Sequence, residues 1–217
     1  MQDYKKNFIK FMVENEVLLF GDFTLKSGRK APYFINAGKY RTGSQIAQLG
    51  EYYAECFLEH GVKAQTLVGP AYKGIPLAVA TAIALAKNHG VDVGFCFDRK
   101  EVKDHGEGGM FVGQALRGGD DVCLIEDVMT SGKAFREILP KIAQEAKVNI
   151  NAMIISVDRQ EKGTGEKSAV QEAYDEFGVR VYSIVTVEDI IQAIEEGVIE
   201  GREYLDAMKA YRTQYGA

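Results

Sequence analysis

The sequence predicts an α/β protein with a mostly parallel central sheet flanked by helices, and three observations support this class. Short apolar segments alternate with helical segments along most of the chain, which is the order that crossover helices produce. The segments TLVG, VCLIE and AMIISV are continuously apolar, as expected for strands that are buried on both faces. Glycine-rich or charged turns follow these segments, and sheets of this kind bind ligands at the carboxyl ends of their strands.

The first part of the chain is predicted to contain two helices separated by a small β-rich region. Apolar residues recur at helical spacing from Asp3, the predicted N-cap, to about Val17. Glycines and a proline between residues 21 and 38 indicate short, irregular or β-rich segments. A second helix is predicted to open at Ser44 and to end just before Gly61.

The rest of the chain is predicted to alternate between strands and helices. The predicted strands lie at 66–69, 92–97, 121–126, 152–157 and 180–185. Helices are predicted at 75–88, 134–147 and 167–177, and in the residues after 185. A charged, glycine-rich interruption is predicted at 98–119. No internal repeat or low-complexity tract is visible, so one main domain with a small annex is expected.

Composition and charge exclude several classes of protein. Hydrophobic residues make up 46% of the 217 residues and charged residues 26%, as in ordinary globular proteins. The net charge of −5 argues against a nucleic-acid-binding protein. The longest apolar stretch, Ile75–Ala86, is too short to span a membrane, and no signal-peptide pattern is present. We therefore expect a cytoplasmic protein without membrane or nucleic-acid partners, whose cysteines, Cys56, Cys96 and Cys123, are buried free thiols.

The most informative segment, VCLIEDVMTSGKA at 122–134, predicts a phosphate and sugar site. An apolar strand leads into two carboxylates, Glu126 and Asp127, and a hydroxyl- and glycine-rich turn at 130–132 precedes a helix. Such a turn exposes backbone N–H groups at the positive end of the helix dipole, where a phosphate monoester binds. Carboxylates just upstream can accept hydrogen bonds from sugar hydroxyls. The segment therefore favours a ribose 5-phosphate ligand.

Two other phosphate motifs do not fit this chain. A Walker A loop would need glycine at Asp127 and a hydroxyl residue at Ala134. A dinucleotide fingerprint would need a third glycine and a strand-to-helix setting after Gly106 or Gly163.

Three further segments predict sites for anions. The turn GPAYKGIP at 69–76 enters a helix, and Tyr72 and Lys73 add a hydroxyl and a charge beside the free N–H groups. The segment FDRKEVKDHGEGG at 97–109 combines cations with glycines, which suits a loop that closes over a polyanion. Arg159, in ISVDRQE, follows a strand, and a guanidinium is a natural bidentate partner for a carboxylate.

These segments resemble one known family. The stretch 122–134 resembles the phosphoribosyl pyrophosphate signature of type I phosphoribosyltransferases. The stretches 97–109, 155–161 and 23–38, which reads FTLKSGRKAPYFINAG, resemble those of orotate phosphoribosyltransferases, and 69–76 corresponds to that family's pyrophosphate loop.

The resemblance implies an organisation and a reaction. It implies the type I phosphoribosyltransferase fold, with an N-terminal helix and hood at 1–40 covering the base and a core at 41–217 bearing a flexible catalytic loop at 98–110. The implied reaction is the Mg²⁺-dependent transfer of ribose 5-phosphate from phosphoribosyl pyrophosphate to orotate, which gives orotidine 5′-monophosphate and pyrophosphate in pyrimidine biosynthesis. The implied working unit is a homodimer in which the 98–110 loop reaches the partner's site.

The resemblance also implies residue roles. The implied catalytic residues are Lys103 as the closing cation, Glu126 and Asp127 on the ribose hydroxyls, and His105, which either assists proton balance or contacts pyrophosphate. The implied phosphoribosyl pyrophosphate contacts are Lys26, Tyr72, Lys73, Arg99, Lys100, Lys103, His105, Glu126, Asp127, Val128, Met129, Thr130, Ser131, Gly132, Lys133 and Ala134. The implied orotate contacts are Lys26, Phe34, Ile35, Thr130 and Arg159. Mg²⁺ is expected to be carried by the substrate, without dedicated protein ligands.

The chain departs from the family pattern at two positions. Relatives often have a second aromatic residue at Ile35 and a small hydroxyl residue at Lys133. Two alternatives stay open at this point. One is a phosphoribosyltransferase for another base, such as a purine. The other is a regulator that senses phosphoribosyl pyrophosphate without catalysis, although such regulators usually have a degraded catalytic loop or an added nucleic-acid-binding segment.

Overall fold

The computed structural model describes residues 1–25, 27–103, 109–129, 132–163 and 165–217, with side chains for all of these except 101–103. The strands in these ranges are β1 (Leu18–Thr24), β2 (Lys30–Ile35), β3 (Thr66–Val68), β4 (Gly94–Lys103), β5 (Gly109–Gly113), β6 (Asp121–Ile125), β7 (Asn149–Asp158) and β8 (Arg180–Thr186). The α-helices are α1 (Asp3–Glu14), α2 (Gly43–Glu59), α3 (Gly74–His89), α4 (Lys133–Glu145), α5 (Ala169–Phe177), α6 (Val187–Glu195) and α7 (Leu205–Tyr215).

The main sheet confirms the predicted fold class. Its strand order is β5-β4-β3-β6-β7-β8, and all neighbours pair in parallel except β5, which is antiparallel to β4. From β3 the chain first adds strands on one side and then returns to add β6, β7 and β8 on the other side. The direction of winding therefore reverses between β3 and β6. Ligands of open α/β sheets bind at the carboxyl ends of the strands that flank such a reversal.

Both faces of the sheet are covered, so the core has two parts. Alternate residues of the central strands enter different clusters: Leu67 and Cys123 pack with α1, α2, α3, α6 and α7, whereas Val68 and Leu124 pack with α4 and α5. This explains why the strand sequences are apolar at every position. In the part of the chain that the structure describes, no helix has the length and hydropathy of a membrane span.

The N-terminal region forms a helix and a separate two-stranded sheet, β1 and β2, which pair antiparallel. α1 packs on α2, α6 and β8, and α7 packs on β2. The hairpin therefore lies against the main body near the residues that follow β7, which its contacts with Glu161 and Lys162 confirm.

Two predicted helix starts are wrong by a few residues. Asp3 is the first residue of α1, and the N-cap is Gln2, which makes no side-chain capping bond. In α2 the cap is Thr42 instead of a residue at Ser44. The Thr42 hydroxyl accepts a hydrogen bond from the Gln45 backbone N–H, and the Gln45 side chain accepts one from the Thr42 N–H in return. This reciprocal pair satisfies two free N–H groups of the first turn and moves the start toward the N-terminus.

The described residues at both ends of the predicted 98–110 loop lie in strands. β4 continues six residues beyond Phe97 to Lys103, and β5 begins at Gly109. The pairing of Phe97 and Asp98 with β5 supplies backbone hydrogen bonds that extend the strand into charged sequence. An edge ribbon can direct charged side chains into solvent, so local hydropathy did not reveal it. The three cysteines are buried free thiols, as predicted.

Candidate active site

The carboxyl ends of β3 and β6 bring two predicted anion sites together. The loop after β3 carries Lys73, and the residues after β6 carry Glu126 and Asp127. The Lys73 Nζ lies 2.7 Å from the Asp127 Oδ2. Lys73 is 67% exposed whereas Asp127 is 13% exposed, so the lysine covers the carboxylate from the solvent side. The ion pair marks the point where the winding of the sheet reverses.

Two buried hydroxyls hold the backbone of the acidic pair. The Tyr53 hydroxyl, from α2, donates to the Glu126 carbonyl at 2.7 Å, and the Ser156 hydroxyl, from β7, donates to the Asp127 carbonyl at 2.6 Å. The Ser156 N–H donates to the same Asp127 carbonyl at 2.9 Å. Neither residue was predicted in this role, because Tyr53 lies on the apolar face of its helix and Ser156 lies within an apolar strand.

The side chains of the acidic pair are fixed by neighbouring backbone N–H groups. Glu126 Oε1 accepts from the Asp127 N–H at 2.9 Å, and Asp127 Oδ1 accepts from the Val128 N–H at 2.8 Å. Burial, together with the adjacent Asp127 carboxylate, raises the pKa of Glu126 from 4.5 to about 8. Glu126 is therefore protonated at neutral pH in the free protein, and it can donate a hydrogen bond to a sugar hydroxyl.

The pH dependence of stability follows from this proton. Between pH 4.5 and pH 8 the folded protein retains a proton on Glu126 that the unfolded chain has lost, so this residue's contribution to stability falls as the pH rises. Replacing Glu126 by glutamine removes that dependence. We expect the melting temperature of Glu126→Gln relative to wild type to be higher at pH 9 than at pH 5 by roughly 2–8 °C.

Thermal unfolding at the two pH values measures this difference. The matched control is Glu55→Gln, because Glu55 is exposed on α2. Its relative melting temperature is expected to be the same at both pH values. If the melting temperature of Glu126→Gln differed from that of wild type by the same amount at pH 5 and pH 9, a buried proton at this position would be contradicted.

The turn that follows the acidic pair leads into α4 as predicted. Gly132 caps the helix with a φ of 67°, a conformation that favours glycine, and α4 begins at Lys133. The N–H groups of the first turn, at Lys133 and Ala134, are suited to an anion. The Lys133 side chain is 80% exposed and lies 3.7 Å from Glu137, one turn along the helix. Met129 has a buried side chain, so only its backbone can meet a ligand.

The loop after β3 is shaped by close packing beneath it. A Cβ at Gly74 would lie 2.8 Å from the Ile125 carbonyl oxygen, so only glycine allows α3 to start this close to β6. The Ala71 N–H donates to Asp98 Oδ1 at 2.8 Å, and Lys141 of α4 forms an ion pair with Asp98. Asp98 was not predicted as part of the site. It ties the 69–74 loop to the start of the basic segment.

Two predicted phosphate contacts lie along that basic segment. The Lys100 ammonium lies 5.5 Å from the centre of the Tyr72 ring, which is 71% exposed. The Arg99 Nε is buried, and it has no hydrogen-bond partner among the residues described. Lys100 therefore lies beside the 69–74 loop.

Arg159 lies just after β7, the strand next to β6, and it contacts the hairpin. Its Nη2 donates to Glu161 Oε1 at 2.5 Å, and its Nε lies 3.4 Å from the Tyr33 hydroxyl of β2. The guanidinium carbon is 5.3 Å from the centre of the Tyr33 ring. Of the predicted base contacts next to Tyr33, Phe34 stacks on Phe23 at 5.5 Å and is half-buried, and Ile35 packs against the core.

Some predicted site residues lie outside what the structure describes. These are Lys26, His105, Thr130, Ser131 and the side chain of Lys103. The other predicted contacts are Tyr72, Lys73, Arg99, Lys100, residues 126–129 and 132–134, Phe34, Ile35 and Arg159. They belong to the loops after β3, β6 and β7, to the β4 strand or to the hairpin.

The arrangement has the chemistry for a sugar phosphate with a leaving anion. A helix N-terminus after β6 suits a phosphate, and the buried acidic pair suits sugar hydroxyls. Lys73 and the β4 cations suit a second polyanion, and Arg159 suits a carboxylate. Burial of the acidic pair lowers the local dielectric around it and strengthens its polar interactions.

Comparisons with known proteins agree with this chemistry. The model of the phosphoribosyl transferase domain family matches residues 40–145. A protein of Vibrio vulnificus named orotate phosphoribosyltransferase is 50% identical over 216 residues, which cover the full length of both chains. A crystal structure of orotate phosphoribosyltransferase from Francisella tularensis is 40% identical and has a TM-score of 0.88, with coverage of 97% of this chain and 100% of that one. Adenine phosphoribosyltransferase from Saccharomyces cerevisiae is 13% identical with a TM-score of 0.52 and 81% coverage of this chain and 98% of that one, so it shares the fold alone.

Proposed function

On the premise that the chain belongs to the orotate phosphoribosyltransferase family, we propose how its own residues act. The reaction of this family transfers ribose 5-phosphate from phosphoribosyl pyrophosphate to orotate, giving orotidine 5′-monophosphate and pyrophosphate. The observation that carries the proposal is the Lys73–Asp127 ion pair at the reversal point of the sheet, where a pyrophosphate loop and a ribose phosphate turn meet.

The 5-phosphate binds at the start of α4. The phosphate oxygens lie among the N–H groups of residues 132–134, the backbone of Val128 and Met129, and the hydroxyls of Thr130 and Ser131. Gly132 supports this role, because its left-handed backbone turns the chain into the helix without a side chain in the way.

The ribose lies over the acidic pair. Asp127 accepts hydrogen bonds from the ribose hydroxyls, and Glu126 donates one to them. The Asp127 charge also stabilises the positive charge that develops on the sugar as pyrophosphate leaves. Lys73 is held by Asp127 in the free protein and lies where the leaving pyrophosphate is expected. Tyr72, Arg99 and Lys100 complete the pyrophosphate site, with Lys26, Lys103 and His105 as the remaining contacts that the sequence predicts.

We further propose that Mg²⁺ enters with phosphoribosyl pyrophosphate. Mg²⁺ prefers oxygen ligands and usually binds through substrate phosphates and one or two carboxylates. Within the described ranges, no three His, Cys, Asp or Glu side chains lie close enough together to hold a metal ion. Asp127 nevertheless offers a carboxylate that fits this ion beside the ribose. When bound, Mg²⁺ neutralises part of the charge on the leaving pyrophosphate.

Orotate lies between the hairpin and the residue that follows β7. The hood of residues 1–40 covers the base, with Phe34, Ile35, Lys26 and Thr130 around the ring. Arg159 binds the orotate carboxylate, since a guanidinium matches a carboxylate in charge and geometry. The proximity of Arg159 to Tyr33, next to Phe34, supports this placement.

Loss of the Arg159 side chain is therefore expected to affect the use of orotate selectively. We predict that Arg159→Ala lowers kcat/KM for orotate by about 30- to 1000-fold, the effect of losing one partner of a desolvated ionic contact. The KM for phosphoribosyl pyrophosphate should change less than about threefold, because that substrate binds at other loops. Steady-state kinetics with each substrate varied in turn measures both values. Unchanged orotate kinetics would refute the carboxylate assignment.

A homodimer is proposed as the working unit. The groove between α2 and α3 is lined by apolar side chains, including Ile46, Val79 and Ile83, of which Ile83 is 54% exposed. Contiguous exposed apolar residues of this kind mark interaction surfaces. The 98–110 segment of one subunit then contributes to the partner's site. A cytoplasmic location is proposed, as suits a biosynthetic enzyme.

One assay distinguishes the proposed function from two alternatives, a phosphoribosyltransferase for another base and a regulator without catalysis. Purified protein is mixed with Mg²⁺ and phosphoribosyl pyrophosphate, and the loss of orotate, adenine, guanine or hypoxanthine is followed by absorbance or chromatography. Consumption of orotate with release of pyrophosphate is expected. Consumption of a purine alone would favour a purine enzyme, and binding of phosphoribosyl pyrophosphate without consumption of any base would favour a regulator.

A further inference from the structure

Arg159 belongs to a partly buried cluster of charged and phenolic side chains. We call Arg29, Tyr33, Arg159, Glu161 and Tyr211 the glutamate cluster, because four of its members contact Glu161. Oε1 of Glu161 accepts hydrogen bonds from Arg159 at 2.5 Å, from Tyr211 at 3.1 Å and from Tyr33 at 3.2 Å. Its Oε2 lies 3.4 Å from Arg29. Four donors, from the hairpin, the loop after β7 and α7, therefore converge on one carboxylate.

The contacts of Arg159 use only one edge of its guanidinium. Nε points to the Tyr33 hydroxyl and Nη2 to Glu161, and these two nitrogens form the side edge of the planar group. Nη1 takes part in none of the hydrogen bonds formed by the described residues. The end edge, made by Nη1 and the second N–H of Nη2, therefore keeps the two parallel donors that bind a carboxylate bidentately.

The net charge of the cluster favours binding of a substrate carboxylate. Two guanidinium groups face one carboxylate, so the cluster carries a net charge of +1 from these three residues, Arg29, Arg159 and Glu161. A carboxylate that binds Arg159 would balance it. Glu161 therefore holds the arginine without cancelling the positive charge of the site.

α7 and the residues that follow it support the loop after β7, which carries Arg159 and Glu161. Tyr211 of α7 is 6% exposed, and its ring packs edge-on against Tyr33. The Lys162 N–H donates to the Tyr215 carbonyl at 2.9 Å, and the Ala217 N–H donates to the Gln160 carbonyl at 2.9 Å. The loop that carries Arg159 and Glu161 is thus held by side-chain and backbone bonds to one helix and the residues that follow it.

We propose that Glu161 and Tyr211 are positioning residues that select the carboxylated base by fixing Arg159 with its end edge free. The proposal rests on the proposed function, because it concerns the same orotate site. A free arginine side chain loses rotamer entropy when a ligand fixes it, and contacts that already hold its side edge remove part of that loss. Neither residue contacts the base, so both act on substrate affinity through Arg159.

The test compares three single variants with wild type. We expect Glu161→Gln to raise the KM for orotate about 10-fold and Tyr211→Phe about 5-fold, the effects of weakening one charge-assisted hydrogen bond to Arg159 or Glu161. KM for phosphoribosyl pyrophosphate should stay within about twofold. The matched control is Tyr215→Phe, one turn further along α7, because the Tyr215 hydroxyl forms no hydrogen bond with the described residues. Its KM for orotate should equal that of wild type.

A double-mutant cycle separates positioning from general destabilisation. In an Arg159→Ala background, Glu161→Gln and Tyr211→Phe should change KM for orotate less than about twofold, because the residue through which they act is gone. Equal effects in both backgrounds, or parallel losses for both substrates, would show a structural role and overturn the proposal. A lower KM for orotate in Glu161→Gln would show that Glu161 competes with the substrate, and it would overturn the proposal as well.

Failure of the inference can be distinguished from failure of the proposed function. If wild-type protein does not consume orotate, the proposed function fails and the inference fails with it. If wild type consumes orotate and both positioning variants have its KM for orotate, only the inference fails. Should Glu161→Gln not fold, Tyr211→Phe decides alone, since it removes one hydroxyl and keeps the ring packing on Tyr33.

Discussion

Replacing Lys103 by alanine is expected to lower kcat by roughly 100- to 1000-fold while KM for either substrate changes little. In the proposed mechanism the Lys103 cation contacts the leaving pyrophosphate most strongly in the transition state, so its loss affects the chemical step more than substrate binding. The backbone of β4 carries the chain to Lys103, where it is paired with Gly109 of β5. Single-turnover and steady-state kinetics would separate the chemical step from substrate binding.

The control for this variant is Lys147→Ala. Lys147 is an exposed lysine just after the end of α4, where the chain turns toward the start of β7 and away from the candidate site. Its kcat is expected to equal that of wild type. Turnover of Lys103→Ala within a factor of about three of wild type would remove Lys103 from the mechanism.

Replacing Asp127 by asparagine is expected to lower kcat by roughly 100-fold or more. The variant keeps the shape of the side chain but removes the charge that stabilises a positive sugar, and it breaks the 2.7 Å ion pair with Lys73. The free energy of unfolding should change by less than about 1 kcal/mol, because Lys73 is mostly exposed and such pairs contribute little to stability. Kinetics and urea unfolding of the same preparation measure both effects.

The matched control is Asp121→Asn. Asp121 lies at the start of β6, whereas the acidic pair follows the end of that strand. Asp121 is therefore at the opposite end of β6 from the candidate site. Its substitution should leave kcat unchanged. A decrease of less than about tenfold for Asp127→Asn would contradict a role for its charge in the reaction.

Together the two inactive variants test the dimer. If the 98–110 segment acts in the partner's site, a mixed dimer of Lys103→Ala and Asp127→Asn subunits contains one site in which both residues are intact. Equal mixing with subunit exchange should then restore activity to about a quarter of wild type, since half of the dimers are mixed and each has one complete site. No recovery after demonstrated exchange would indicate that each subunit supplies both residues to its own site.

Much of the fold was predictable because its signals are local. The continuous apolar runs of β6 and β7, and the turn after Glu126 and Asp127, reflect burial and backbone geometry that adjacent residues report. The extension of β4 beyond Phe97 and the existence of β5 were not predicted. Their backbone hydrogen bonds come from each other across the sheet edge, and a charged sequence does not reveal such pairing.

The candidate site was predictable only where its residues lie in one segment. Asp127, Lys73 and Arg159 were found from their own loops, whereas the residues that hold them in place were missed. Tyr53 is 73 residues from Glu126 in the sequence, and Tyr211 is 50 residues from Glu161. Their aromatic rings read as core residues, because a hydroxyl at the edge of a packed ring leaves no periodic signal.

The sequence alone predicted the class of fold, the turn that we propose binds ribose phosphate, and the charged groups that we propose face substrate. These depend on residue type and on spacing within a few positions. Only the tertiary structure decided which charges pair: Lys73 with Asp127, Asp98 with Lys141, and Arg159 with Glu161. The physical reason is that an ion pair depends on distance in space, and the order of strands in the sheet sets that distance.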